Sequence, residues 1–365
     1  MLSHEQLGRL TRTLHDRKIL SIYLDVAARD PAQKRAWRTQ LDDSIRRIRD
    51  GTPASPDKER TAFDHAVALL DAQIASASTA RSWVGFACGK EVHHSESLPV
   101  RTPSVVAWDT GPRVAPYLTA LRQCRPVILA EVNAEGARLY RYDAGNLEKL
   151  EQLRAHVTVE PQHHMGSMPR RGFHTGTRGS TGTDAAQREL REGTRRMLRE
   201  LSQRLTTLAG ADGWIIIGGT PLPAKAARAA LPKALTSRSL IVPEMHIWAS
   251  DAQIRECAES GATALQDAHD LAAVSYAVRQ AGAGRGRGVV GPEATLRALE
   301  TGAVERLYLS ERFIEMSPET GDEAVRSALD HGASPEVVDG AAATRLDRFA
   351  EGMAARLRYP STTIA

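Results

Sequence analysis

The chain has 365 residues, with 48 lysine and arginine residues against 44 aspartate and glutamate residues and a formal net charge of +4. This length exceeds what one hydrophobic core usually holds, so we expect two or three domains. The three cysteines form no CxxC pair, which argues against a disulfide framework and against a cysteine zinc site. The charged N-terminus is unlike a signal peptide, and no run of 18 apolar residues is present. The sequence therefore predicts a cytoplasmic protein.

Residues 1–125 are predicted to form a first domain of mixed helices and strands. The β-rich run Ile19–Val26 predicts a strand, and the segments WVGFAC and EVHHSESL, separated by Gly89-Lys90, predict a β-hairpin. Helical spacing of apolar residues covers three stretches: residues 5–15, 33–49 and 58–74.

Residues 126–245 are predicted to form a second domain. The runs PVILAEV and ARLYRYD flank the glycine turn AEG and predict another hairpin. The run WIIIGG, Trp214–Gly219, is apolar throughout and predicts a strand that is buried on both faces. A polar, glycine-rich segment over residues 161–183 and a long helix separate the hairpin from that strand.

Residues 246–365 are predicted to form a third domain. Strands are predicted at VERLYLS and at Pro335–Val338, and GAGRGRGVVG is predicted to be a loop. Helices are predicted over four stretches: residues 251–259, 262–279, 292–300 and 322–330. Because helices alternate with short strands along the chain, we expect an α/β (α+β) multidomain fold.

The segment over residues 161–196 has the strongest charge imbalance. It holds seven arginines against three acidic residues, which equals the net charge of the whole chain. Residues 161–183 have too few apolar side chains to form a core of their own. A glycine-rich loop of this length inside a domain is usually functional or disordered.

The helix after this loop is predicted to begin at Asp184 or Thr183, either of which can cap it. One face is apolar: Leu190, Met197, Leu201, Leu205 and Leu208. The other faces hold arginines, for which phosphate is the natural ligand, although a solvated helix surface is an open alternative. The candidate RNA-binding residues are Arg170, Arg171, Arg178, Arg188, Arg191, Arg195 and Arg196.

Two other motifs carry no site. The loop histidines His163, His164 and His174 have no carboxylate or cysteine at ligand spacing, so no metal site is expected. The GxGxxG pattern at Gly286–Gly291 precedes a helix but does not follow a strand, as a dinucleotide fingerprint requires. No cofactor is therefore expected.

The order of these elements resembles the bacterial archaeo-eukaryotic release factor family, relatives of the eukaryotic class 1 release factor and Pelota. The hairpin PVILAEVNAEGARLYRYD resembles the start of that family's central, RNase H-like domain. The segments GPEATLRALETGAVERLYLSE and GMAARLRY resemble its third domain, an α/β fold related to a ribosomal protein. The resemblance implies a divergent N-terminal domain over residues 1–125, a central domain over 126–245 and a C-terminal domain over 246–365.

Release factors carry Gly-Gly-Gln at the tip of the central-domain loop, where glycine backbone and glutamine face the ester of peptidyl-tRNA. This chain has no Gly-Gly-Gln. Matching the arginine-rich helix places Gln187 on the glutamine and Gly182-Thr183 on the glycine pair. An alternative register places residues 179–181 at the tip, without a glutamine, and leaves Gln187 as a residue of the helix surface.

The resemblance implies a ribosome-associated release or rescue factor that acts in the A site and hydrolyses peptidyl-tRNA. A first alternative is a factor that occupies the A site of hibernating ribosomes without catalysis. A second is an RNase H-like nuclease, which would need clustered carboxylates for metal ions and has Glu131, Asp143 and Glu151 to offer. The implied partners are ribosomal RNA, with peptidyl-tRNA and a translational GTPase left open; neither a membrane nor DNA is expected.

Overall fold

A computed structural model of the chain describes residues 1–26, 36–51, 57–74, 81–155, 182–283 and 286–360, and gives only the backbone of residues 36, 57, 182–187 and 189. The described residues form twelve helices and thirteen strands in three sheets, which confirms the α/β (α+β) multidomain class. Each sheet lies within one of the three predicted domain ranges. The chain divides into two compact units, residues 1–124 with 266–365, and residues 125–265. The division into three domains stays a prediction. So does the likeness of the central domain to RNase H and of the third domain to a ribosomal protein.

The first sheet belongs to the first unit and is antiparallel throughout, in the order β3-β2-β1-β4. Its strands are β1 (Lys18–Asp25), β2 (Ser82–Cys88), β3 (Glu91–Leu98) and β4 (Val105–Thr110). The helices of this region are α1 (His4–Leu14), α2 (Ala36–Gly51), α3 (Asp57–Ile74) and α4 (Ala115–Gln123). Phe63 and Leu70 of α3 pack with Leu20 and Ile22 of β1 in a buried core. The predicted strand and hairpin are therefore confirmed.

The third sheet also belongs to the first unit and has the order β10-β13-β11-β12, in which β11 and β12 are parallel. Its strands are β10 (Gly288–Val290), β11 (Val304–Ser310), β12 (Ser334–Val338) and β13 (Met353–Leu357). The helices are α9 (Pro292–Glu300), α10 (Glu311–Met316), α11 (Pro318–Asp330) and α12 (Gly340–Ala350). The segment GAGRGRGVVG, predicted to be a loop, contributes β10, because Gly288–Val290 pairs with β13.

The second unit holds a five-stranded sheet in the order β7-β6-β5-β8-β9. Its strands are β5 (Val127–Val132), β6 (Gly136–Asp143), β7 (Asn146–Arg154), β8 (Trp214–Gly219) and β9 (Ser239–Ile241). Strands β5, β8 and β9 are parallel, whereas β5, β6 and β7 are antiparallel. The helices are α5 (Gly182–Ala209), α6 (Pro221–Ala229) and α7 (Lys233–Thr236). The hairpin β5–β6 and the doubly buried strand β8 are confirmed.

Helix α8 (Asp251–Ala281) begins in the second unit and ends in the first. The sequence predicts two helices here, over residues 251–259 and 262–279, which leaves Gly261 between them. The helix is continuous, and a Cβ on Gly261 would lie 2.6 Å from the Cδ1 atom of Ile216, so the glycine permits close packing. Like the other helices of the described ranges, α8 is not apolar enough to cross a membrane.

A guanidinium holds three segments of the first unit together. The Nη2 atom of Arg122, in α4, lies 2.7 Å from the Oδ2 atom of Asp270 and 2.8 Å from the Oδ1 atom of Asp339. The Arg122 Nη1 atom donates to the carbonyl oxygen of Val337 at 3.1 Å. Since Asp270 is 1% exposed, its charge depends on this partner.

Arg122→Ala is expected to lower the free energy of unfolding by about 3–5 kcal/mol, because it leaves the Asp270 carboxylate buried without its guanidinium. Arg297→Ala is the control: Arg297 is 67% exposed and pairs with Glu293 at 3.3 Å, so its loss should cost less than about 1 kcal/mol. Urea unfolding followed by circular dichroism measures both. Equal losses would contradict the role of Arg122.

Candidate nucleic-acid interface

Helix α5 buries one face against the sheet of the second unit. Met197, Leu201 and Leu205 are each at most 2% exposed and pack with Ile128 and Ile215 of the sheet. Leu208 is partly buried against the same cluster. This confirms the predicted apolar face from residue 197 onward.

The same face is not buried at its N-terminal end. Leu190 is 39% exposed, although it falls on the predicted apolar stripe. Among the residues of α5 whose burial is described, the first buried one is Gly193, and packing against the sheet begins at Met197.

The outward faces of α5 form the arginine surface, which we define as the exposed residues Arg188, Arg191, Arg195, Arg196 and Arg199. Three of these guanidinium groups share the carboxylate of Glu192, at distances of 4.0 Å for Arg195, 3.6 Å for Arg196 and 3.8 Å for Arg199. Exposed pairs of this kind contribute at most about 1 kcal/mol. The guanidinium groups can therefore exchange Glu192 for phosphate oxygens, which they bind in a bidentate geometry.

The arginine surface continues into a groove farther along the helix. This groove has a volume of about 870 Å³ and is lined by Arg196, Arg199, Glu200, Gln203, Arg204 and Thr207. Arg204 lies 3.6 Å from Glu151 of β7. Arg204 is not among the RNA-binding arginines predicted from the sequence. It extends the positive surface by about one and a half helical turns beyond Arg199.

The proposed catalytic residues fall at the start of α5. The backbone of Gly182, Thr183 and Gln187 is α-helical, and the helix begins before the predicted caps Thr183 and Asp184. Their side chains lie outside the described part of the structure. Arg170, Arg171, Arg178, residues 179–181 and the loop histidines also lie outside the described residues. Four of the seven predicted RNA-binding arginines, Arg188, Arg191, Arg195 and Arg196, are therefore brought together on one helix.

Two of the carboxylates considered for a nuclease, Glu131 and Glu151, each pair with a different arginine. Glu131 lies 3.6 Å from Arg138, whereas Glu151 lies 3.6 Å from Arg204. Within the described ranges, the group that brings three metal-type ligand atoms within 4.8 Å of one another is His269, Asp270 and Glu336. Arg122 already pairs with Asp270, and Arg306 pairs with Glu336 at 2.7 Å. These arginines neutralise the charges that would attract a metal ion.

Residues 112–264 match the family described as bacterial archaeo-eukaryotic release factor family 10. Over this range the chain is similar to the bacterial archaeo-eukaryotic release factor family. The match contains the whole five-stranded sheet of the second unit, α5 and the basic segment before it. Among curated proteins, none matches the chain in sequence.

Solved structures of release-factor-like proteins resemble the chain at low identity. The archaeal translation termination factor aRF1 is 19% identical over 98% of this chain and 99% of its own, with a TM-score of 0.27. Archaeoglobus fulgidus Pelota is 13% identical over 76% and 79%, with a TM-score of 0.37. Dom34 of S. cerevisiae is 12% identical over 65% and 64%, with a TM-score of 0.44. At these values the likeness assigns no residue roles.

Replacing both Arg195 and Arg199 by alanine is expected to weaken RNA binding and to flatten its salt dependence. Each lost phosphate contact should reduce the slope of log K against log salt concentration by about 0.7–0.9. Fluorescence anisotropy of a labelled ribosomal RNA fragment across a salt series measures this slope. Arg297→Ala, at an equally exposed arginine of the first unit, should leave it unchanged. The arginine surface is not an RNA interface if the double variant keeps the slope of the unaltered protein.

Proposed function

We propose that this chain is a ribosome-associated translation factor that enters the A site with α5 and the basic segment before it directed toward the peptidyl transferase centre. The similarity of residues 112–264 to the bacterial archaeo-eukaryotic release factor family supports this proposal. A ribosome-bound factor of this kind works in the cytoplasm, with ribosomal RNA as its main partner and a translational GTPase as a candidate for its delivery.

The observation that carries the proposal is the arginine surface on α5. Its guanidinium groups are exposed, and Arg195, Arg196 and Arg199 share one carboxylate. Ribosomal RNA presents a dense array of phosphates, for which such a surface is suited because binding releases condensed counterions. The surface is anchored by the buried face of the same helix, so it would meet RNA as a preformed element.

Peptidyl-tRNA hydrolysis is the chemistry that the family resemblance implies. Water would add to the ester carbonyl carbon, the ester bond to the tRNA sugar would break, and the sugar oxygen would take up a proton. In this proposal the Gln187 amide orients the water. Gly182 and Thr183 lie in the first turn of α5, where backbone N–H groups have no partner within the helix and could face the ester oxygen.

Occupation of the A site without hydrolysis is the second candidate. The observation that favours it is the helical backbone at Gly182 and Thr183, together with a threonine where the family pattern has its second glycine. A residue with a Cβ in a helix approaches an ester less closely than a glycine in a loop. Such a factor would hold idle ribosomes through phosphate contacts, as expected in hibernation.

Gln187→Ala separates these two chemistries. If the chain hydrolyses peptidyl-tRNA, the variant should release labelled peptide from stalled ribosomes about 100-fold or more slowly, because water positioning contributes on that scale. Gln253→Ala is the control, since Gln253 is an exposed glutamine of α8 and should not affect release. Release without dependence on Gln187 would contradict its catalytic role, and binding without release would support the second candidate.

Cosedimentation with ribosomes tests what both candidates share. The unaltered chain should cosediment at low salt and dissociate as salt rises, because phosphate contacts release counterions. The double replacement of Arg195 and Arg199 by alanine should dissociate at lower salt, whereas Arg297→Ala should behave like the unaltered chain. A protein that stays in the soluble fraction at low salt, from both growing and starved cells, would refute ribosome association.

A further inference from the structure

A buried carboxylate stands at the end of strand β5 in the second unit. Glu131 is 3% exposed and lies opposite Arg138 of β6, which in turn lies opposite Gln152 of β7. The Glu131 Oε2 atom accepts a hydrogen bond from the Tyr140 hydroxyl at 3.3 Å and lies 3.6 Å from the Arg138 Nη1 atom. The Oε1 atom is buried and has no hydrogen-bond partner among the described residues. A buried acceptor without a donor requires an explanation.

The carboxylate lines a cavity of about 410 Å³, together with Arg138, Arg154 and Trp248. This volume lies within the range of small-molecule and nucleotide sites. The Oε1 atom is closed to water in this arrangement, so an N–H donor in the cavity would reach it once the Arg138 side chain, which lies beside Glu131 and is 30% exposed, moves aside. Among the described residues, the cavity is thus lined by a buried acceptor that has no donor.

Close packing at the end of β8 brings Trp248 to this cavity. Gly218 of β8 lies opposite Glu131, and a Cβ on it would be 2.5 Å from the Cβ atom of Met245. The backbone nitrogen of Gly219 donates to the carbonyl oxygen of Met245 at 2.6 Å. The segment after Met245 is thus held beside the sheet, and Trp248 follows three residues later.

The indole of Trp248 is 86% exposed, the highest value among the exposed large apolar side chains of the described residues. The Arg138 guanidinium carbon lies 5.8 Å from the centroid of the ring. An exposed indole beside a guanidinium is a stacking platform of the kind on which proteins place unpaired bases.

The charges of the cavity limit the kind of ligand. Two acidic residues, Glu131 and Glu135, are balanced by two arginines, Arg138 and Arg154. This balance distinguishes the cavity from the arginine surface, which selects polyanions. It fits a flat, neutral group with an N–H donor on its edge.

We propose that this cavity binds a single unpaired nucleobase that carries an exocyclic amino group, stacked on Trp248 and donating to Glu131. Carboxylates accept a hydrogen bond from the amino group of cytosine in this way. Uracil has the same size but an oxygen at the same position, so it lacks that donor. The site should therefore prefer cytosine to uracil.

The proposal is independent of the arginine surface. Glu131 shares its side of the sheet with Val127 and Leu129, whereas α5 packs with Ile128 and Ala130 on the opposite side. Variants on one side therefore leave the other side in place. Failure of base binding and failure of ribosome association can be told apart.

The test compares the affinities of the full chain for the trinucleotides CCC and UUU by fluorescence titration. The unaltered protein should bind CCC about tenfold more tightly, and Glu131→Gln should reduce this preference below about threefold, because a neutral amide replaces the charged acceptor. Trp248→Ala should weaken the binding of both oligonucleotides about tenfold, and Trp248→Phe should restore much of the loss.

Two controls identify binding elsewhere. Leu222→Ala, at a residue of α6 that is 79% exposed, should leave both affinities unchanged. The double replacement of Arg195 and Arg199 by alanine should keep the preference for cytosine, because these arginines lie on the opposite side of the sheet. Equal binding of CCC and UUU by the unaltered protein would overturn the proposal. Binding of both oligonucleotides by Trp248→Ala at full affinity would also overturn it. The same holds if Trp248 binds a lysine peptide and the protein shows no preference among bases.

Discussion

The pairing of β5 with β8 is the constraint on which the second unit depends. Both strands are buried on both faces, and they run parallel at the centre of a five-stranded sheet. Because side chains alternate across a strand, Ile128 and Ile215 support α5 on one side, whereas Leu129 and Ile216 support the segment around Met245 on the other. A shift of one residue in this pairing would exchange the two sets and remove the support of both surfaces.

The two surfaces of this unit use charge in opposite ways. On α5 the guanidinium groups are exposed, and water screens the Glu192 carboxylate that three of them share, so little energy is lost when a phosphate replaces it. At the end of β5 the carboxylate of Glu131 is buried, and burial raises its pKa while Arg138 and the Tyr140 hydroxyl act in the opposite direction. An exposed cluster suits binding that depends on salt, whereas a buried group suits selection among ligands by their hydrogen-bond donors.

Much of the sheet could be predicted because its strands have simple patterns. WIIIGG is apolar throughout, and the runs beside AEG alternate around a glycine turn, so local sequence suffices for β5, β6 and β8. Local sequence was not sufficient where tertiary packing overrides the secondary-structure preference of a segment. Gly261 resembles a helix end but lies within α8, because Ile216 packs against it. Likewise β10 is three residues long, and pairing with β13 rather than its own sequence makes it a strand.

The two candidate sites also differ in whether local sequence is enough to predict them. The arginine surface follows from helical spacing, which the sequence displays, whereas the cavity at Glu131 needs strand register and a close approach of Met245, which it does not.

Together the two surfaces constrain how this unit could bind RNA. If phosphates lie along α5 and a base enters the cavity, RNA contacts opposite sides of the five-stranded sheet. That arrangement suits a factor that fills a cleft between RNA segments better than one that rests on a surface. The A site proposed for this chain is such a cleft, lined by RNA. In that proposal, occupation of the cleft depends on the arginine surface, whereas hydrolysis depends on Gln187.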